Sequence, residues 1–137
     1  MPFVLDNSVV AGWFLEDQAS LYTEAVGRRL EEDRAIVPAL WQLEFANVLR
    51  SACKRKRIVA SQAQEIIEQI CGLPIEVDTA TPGPAELLAL ALRYDLSSYD
   101  AAYLELALRL QLPIATKDGP LRMAAEASGV GLAKGKT

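Results

Sequence analysis

Phe3-Val4-Leu5-Asp6-Asn7-Ser8 is an apolar run that ends on a carboxylate and passes at once into residues that start helices. A second stretch repeats the pattern near the other end, where Pro113-Ile114-Ala115-Thr116-Lys117 leads into Asp118 and then Gly119-Pro120. Both read as strand ends. Open α/β sheets place their ligand crevice at the carboxyl ends of strands, which puts Asp6 and Asp118 together if the two strands are parallel and adjacent. Two further acids stand in similar isolation, Glu44 inside an apolar helix and Asp100 in Leu96-Ser97-Ser98-Tyr99-Asp100. Acids are costly to bury singly, and the most economical joint explanation of these four is one shared cation.

Working outward, the strand candidates are Phe3–Leu5, Ala35–Val37, Ile75–Val77, Ile114–Thr116 and, more weakly patterned, Val130–Leu132. Helical spacing lies between them. Tyr22, Ala25, Val26 and Leu30 share a face, as do Ala63, Ile66, Ile67, Ile70 and Cys71, the latter helix opening on a Ser61/Gln64 capping box. Pro84 can open a helix carrying Leu87, Leu88, Ala91 and Tyr94, and another runs from about Ser98 to Leu110. Strands alternating with helices predict an α/β fold with a mostly parallel sheet covered on both faces. With 137 residues, 51% of them hydrophobic, the chain fits one domain spanning 1–137 that buries roughly two-thirds of its unfolded surface.

Composition excludes more than it identifies. The sequence contains no histidine, which removes Ser-His-Asp and Cys-His catalysis, histidine-based zinc hydrolases and imidazole-dependent nucleases. No Gly-rich phosphate loop is present. A net charge of −4 argues against strong non-specific nucleic-acid affinity, which rests on Lys and Arg neutralising phosphates. A bound divalent cation would supply positive charge locally. No apolar run approaches the ~20 residues of a membrane span, and Met1-Pro2 leads straight into a strand, so a cytoplasmic protein is expected. Cys53 and Cys71 lack metal-type spacing and read as reduced core residues.

Each acid also has a local explanation. Asp100 fits the N3 position of a helix capped by Ser97, and Asp118 can cap the helix that carries Leu121, Ala124 and Ala125. Glu44 shares a stripe with Leu40 and Val48 on a helix that is apolar almost all round, so it needs either a buried Arg or Lys or a metal. Asp6 can form an Asx turn. Three or four carboxylates with Ser8 and Thr116 beside them are also the hard-oxygen donors that Mg²⁺ or Mn²⁺ accepts. Thr116 equally suits a plain β-branched strand position.

Taken in order, Val4-Leu5-Asp6-Asn7-Ser8-Val9, Glu44-Phe45-Ala46-Asn47-Val48-Leu49, Leu96 to Leu104 and Ala115-Thr116-Lys117-Asp118 resemble the four motifs of PIN domains, in particular the VapC-like toxins of prokaryotic toxin–antitoxin pairs. The resemblance spans nearly the whole chain. It implies a three-layer α/β/α fold around a central, mainly parallel five-stranded sheet, and an Mg²⁺-dependent endoribonuclease. Asp6 and Asp100 match the family's principal metal ligands, Glu44 and Asp118 complete the acidic quartet, and Ser8 and Thr116 match supporting hydroxyls. It also implies a homodimer, and a cognate antitoxin that covers the acidic groove.

Without histidine, hydrolysis by a metal-activated water is the chemistry such a site would run. Such a mechanism does not itself select RNA, which rests on the resemblance. Lys54-Arg55-Lys56-Arg57, the one dense basic run, reads as a solvated helix C-terminus, as an RNA or partner contact, or as both. Trp13 and Phe14 fit the core or a partner surface. Two rival readings stand beside the nuclease: an Mg²⁺-dependent phosphoryl-transfer domain with Asp6 as nucleophile, and a non-catalytic binding module. Against the first, Ser8 occupies the place where haloacid-dehalogenase-like phosphatases carry a second Asp.

Overall fold

The computed structural model describes residues 1–136. Four short strands, β1 (Phe3–Leu5), β2 (Ala35–Val37), β3 (Ile75–Val77) and β4 (Ile114–Ala115), form a wholly parallel sheet in the order β3-β2-β1-β4. Val4 pairs with Ile36 on one side and with Ile114 on the other, so β1 is central and every one of its residues is buried. That explains an apolar run with no alternation.

Helices occupy each crossover. α1 (Asn7–Val10) and α2 (Leu21–Arg29) link β1 to β2, and α3 (Leu40–Lys54) and α4 (Ala60–Cys71) link β2 to β3. α5 (Pro84–Tyr94) and α6 (Ser98–Leu110) return the chain across the sheet to β4, and α7 (Gly119–Ser128) follows. Parallel crossovers are right-handed, so reversing the direction of travel between β3 and β4 puts the two helix groups on opposite faces. The reversal makes the carboxyl ends of β1 and β4 the sheet's switch point.

The expected five-stranded sheet is corrected to four. Val130–Leu132 forms no strand and contributes one parallel bridge, Ile114 to Leu132, because Gly129 and Gly131 on either side of Val130 hold φ of 89° and 79°, outside the β region. The capping box also moves. α4 begins at Ala60, and Gln62 Oε1 accepts from the Val59 N–H at 2.9 Å, so Ser61 lies inside the first turn. Trp13 and Phe14 are core-facing, with Trp13 Nε1 donating to the Thr23 carbonyl at 2.7 Å and Phe14 set edge-on to Phe45. Cys71 is exposed, not a core residue, and both cysteines are free.

Candidate active site

Asp6 follows β1 directly, and its backbone N–H donates to the Ala115 carbonyl, so strand pairing fixes its position beside Thr116. Its carboxylate is buried, with Oδ2 accepting from Ser8 Oγ and from Thr116 Oγ1, each at 2.8 Å. Thr116 Oγ1 in turn accepts from the Asp118 N–H at 3.0 Å. Thr116 is therefore more than a strand residue: it ties β1, β4 and the start of α7 together.

The other acids reach the same crevice from helix starts. Ser97 Oγ accepts from the Asp100 N–H at 3.1 Å, and Asp118 Oδ2 accepts from the Leu121 N–H at 3.0 Å. Both capping readings are thus correct, and they aim the acids as well as starting the helices. Glu44 departs from expectation. α3 is amphipathic, burying Trp41, Phe45, Leu49 and Ala52 while leaving Leu43 exposed, and Glu44 is only partly covered. Its partner is the phenol of Tyr103, which donates to Oε1 at 2.5 Å, and not an Arg or Lys. Tyr103 lies three residues after Asp100 and so on the same face of α6, a spacing that could have singled it out. Asn7, read only as a helix starter, donates from Nδ2 to the Trp41 carbonyl at 3.2 Å and toward Tyr103 Oη at 3.5 Å.

Burial and neighbouring negative charge raise the affinity of Asp6, Glu44 and Asp100 for protons. Desolvation is the largest cause for Asp6 and for Glu44, with the neighbouring negative charges adding to it. Asp100 is pushed from 3.8 to about 6, first by desolvation and then by the charges of Asp118, Asp6 and Glu44. Asp100 therefore feels the charge of all three other acids. Among the described residues none of them has an ion pair with Lys or Arg.

A hard divalent cation fits this donor set, since the acids and their neighbours offer carboxylate and hydroxyl oxygens and carry negative charge that no Lys or Arg among the described residues pairs with. As they stand, no three acidic side chains among the described residues close into a metal cage. Three of the four carboxylates are held by donors of the chain: Asp6 by two hydroxyls, Glu44 by the Tyr103 phenol and Asp118 by the Leu121 N–H. The basic run sits further out. Lys54 ends α3, Lys56 is exposed, and Arg55 and Arg57 line a cavity that Ser8 shares.

A sequence model of the PIN domain matches residues 3–126. The chain belongs to the PIN domain family. PIN domains are typically metal-dependent nucleases, which supports a hydrolase in general terms. This PIN domain is also similar to a solved structure, PAE2754 from Pyrobaculum aerophilum, with a TM-score of 0.69 at 20% identity over 90% of this chain and 84% of that one. The likeness shows the fold. No curated protein sequence matches the chain. No helix among the described residues is long and apolar enough to cross a membrane.

Proposed function

We propose that this PIN domain is an Mg²⁺-dependent endoribonuclease, with Mn²⁺ able to substitute, and that it acts as the toxin of a toxin–antitoxin pair in the cytoplasm. The observation that carries the reading is a quartet of carboxylates at a sheet switch point, three of which repel charge on Asp100, with no ion-pair partner among the described residues. A bound divalent ion supplies Lewis-acid stabilisation of a phosphoryl oxygen and a water of lowered pKa. Asp6, locked by Ser8 and Thr116, and Asp100 would hold that ion. Glu44, oriented by Tyr103, would complete the set or accept the proton of the attacking water, and Asp118 would hold a second or outer-sphere ion.

The same uncompensated charge makes an inhibitor intelligible. A basic side chain from an antitoxin, inserted among the carboxylates, would satisfy them without activating water. A homodimer is part of the proposal, supported by α5, which buries none of its residues and exposes Leu88 and Leu92. So is a single domain over 1–137, supported by buried Ala133 and by the Lys136 N–H bonding to the Ala25 carbonyl, both beyond residue 126.

The deciding experiment incubates purified, partner-free protein with total RNA plus Mg²⁺ or Mn²⁺ and maps new 5′ ends. Metal-dependent cleavage is expected. In a bacterial host the wild type should arrest growth and Asp6→Asn should not. Intact RNA from partner-free protein would return the chain to the binding-module reading.

A further inference from the structure

Beside the carboxylates, between α1 and α3, lies a cavity of about 320 Å³, within the ~300–1,000 Å³ range of small-ligand sites. Ser8 belongs to both places, since it lines the cavity and donates to Asp6. Apolar walls come from Ala11, Leu15 and Val48, and polar groups from Asn7, Asn47 and Ser51. Arg55 and Arg57 complete the lining. Arg57 is paired with Asp17, whereas Arg55 has no ion-pair partner among the described residues.

One residue of this lining carries an acceptor that the protein leaves unsatisfied. Asn7 is only 6% exposed, and its Oδ1 is buried without a hydrogen-bond partner. Its orientation is fixed, because the Trp41 carbonyl at 3.2 Å can only accept and so must face the amide NH₂. Oδ1 is consequently an acceptor with no donor from the protein, and such buried orphans are rare in folded chains.

We propose that this cavity is a nucleotide subsite that takes the RNA base flanking the cleaved phosphate. The base sets its polar edge against Asn7, Asn47 and Ser51, and Arg55 faces the adjoining phosphate. A nucleobase matches the lining: apolar faces meet Ala11, Leu15 and Val48, and a polar edge meets Asn7, Asn47 and Ser51. Single-stranded RNA is read in this way, by bases splayed into pockets and bonded along their edges. A cationic peptide side chain would also offer a donor, but it would have to enter beside two arginines. The inference deepens the nuclease reading and rests on it for the scissile phosphate alone.

The test begins with binding, which needs no catalysis. Metal-free full-length protein is titrated with each of the four ribonucleoside 5′-monophosphates while the backbone amide resonances of Ala11, Val48 and Ser51 are followed. Saturable shifts at these residues, differing among the bases, are expected. Val48→Phe should weaken binding on the order of tenfold at an unchanged melting temperature, the loss of about one well-made buried contact. Ser51→Leu serves the same purpose if Val48→Phe does not fold. With Mg²⁺ and RNA, either variant should blur the base preference next to the cut. Unmoved amides with all four nucleotides would overturn the subsite. So would equal shifts with inorganic phosphate alone, or shifts with an Arg-containing peptide and none with nucleotides. If the amides report nucleotides but the wild type cuts no RNA, the nuclease reading falls and the subsite stands. If Val48→Phe cuts RNA with wild-type preference and the amides stay unmoved, the subsite falls alone.

Discussion

Helix α6 carries acids into two clusters that differ in one respect. Near its C-terminal end Glu105, joined by Asp78 from beyond β3, meets Arg109, whose Nη2 stands 3.0 Å from Glu105 and 2.7 Å from Asp78. At its N-terminal turn Asp100 meets Asp118, Asp6 and Glu44 and no cation among the described residues. The first cluster is balanced within the chain and raises the Arg109 pKa further, as expected of an ion pair. The second is unbalanced, and burial and neighbouring charge raise the pKa values of Asp6, Glu44 and Asp100 instead. Acids that lack an internal partner mark where the fold has left room for something from outside.

The sharpest way to break this contrast is catalytic. Asp6→Asn or Asp100→Asn, keeping shape and deleting charge, should lower RNA cleavage by roughly a thousandfold or more, equivalent to about 4 kcal/mol of transition-state stabilisation, in a rate assay with either metal. Full cleavage by a folded variant would erase the distinction between the clusters. Next in size is the response to cation. Mg²⁺ or Mn²⁺ at a hundred times its dissociation constant should stabilise the wild type by about 2.7 kcal/mol in thermal melts, and the Asp6→Asn protein far less.

Proton binding gives a smaller effect. Asp100 titrates at about 6 in the metal-free fold against its ordinary 3.8, so the folded state binds the proton more tightly. The resulting stability is fully present below about 3.8 and is lost as pH rises through about 6. After allowance for its partial exposure, the loss is about 1–2 kcal/mol. Asp6 and Glu44 act with the same sign and the exposed Asp17 and partly buried Asp33 with the opposite one, so the difference between wild type and Asp100→Asn in urea melts isolates it.

In the balanced cluster Arg109→Ala should cost about 1 kcal/mol of stability and leave the cleavage rate unchanged. Smallest is Glu44→Gln, expected to leave metal-free stability unchanged or raise it by about 0.5 kcal/mol while lowering activity, since Tyr103 can still donate to the amide oxygen. A clear destabilisation there would make Glu44 a structural partner of Tyr103 first and a site residue second.

Much of the site was legible because its acids sit where local rules are strong. β1 is continuous apolar sequence ending on Asp6, and Ser97 and Asp118 are helix starters that also aim carboxylates. What the sequence concealed depends on packing between distant segments. The balance of burial on α3 came out wrong because apolar composition hid one exposed face, shown by Leu43 at 76% exposure. Tyr103 and Asn7 act through partners 59 and 34 residues away, Glu44 and the Trp41 carbonyl, which no local pattern announces. The cavity between α1 and α3 was invisible for the same reason. The missing fifth strand turned on two glycines whose positive φ values override the β-preference of Val130.

The Thr116 hydroxyl, bonded to Asp6 across 110 residues of sequence, also dictates when the site can exist. During synthesis the ribosome delivers Asp6 more than a hundred residues before Thr116 and Asp118, while domains fold as units once their parts have emerged. A nascent chain that has not yet exposed residue 118 has no β4 to set beside β1 and lacks one of the four acids. Products stalled before residue 118 therefore lack the assembled quartet, and a cell making this protein meets a competent site only once that residue has emerged.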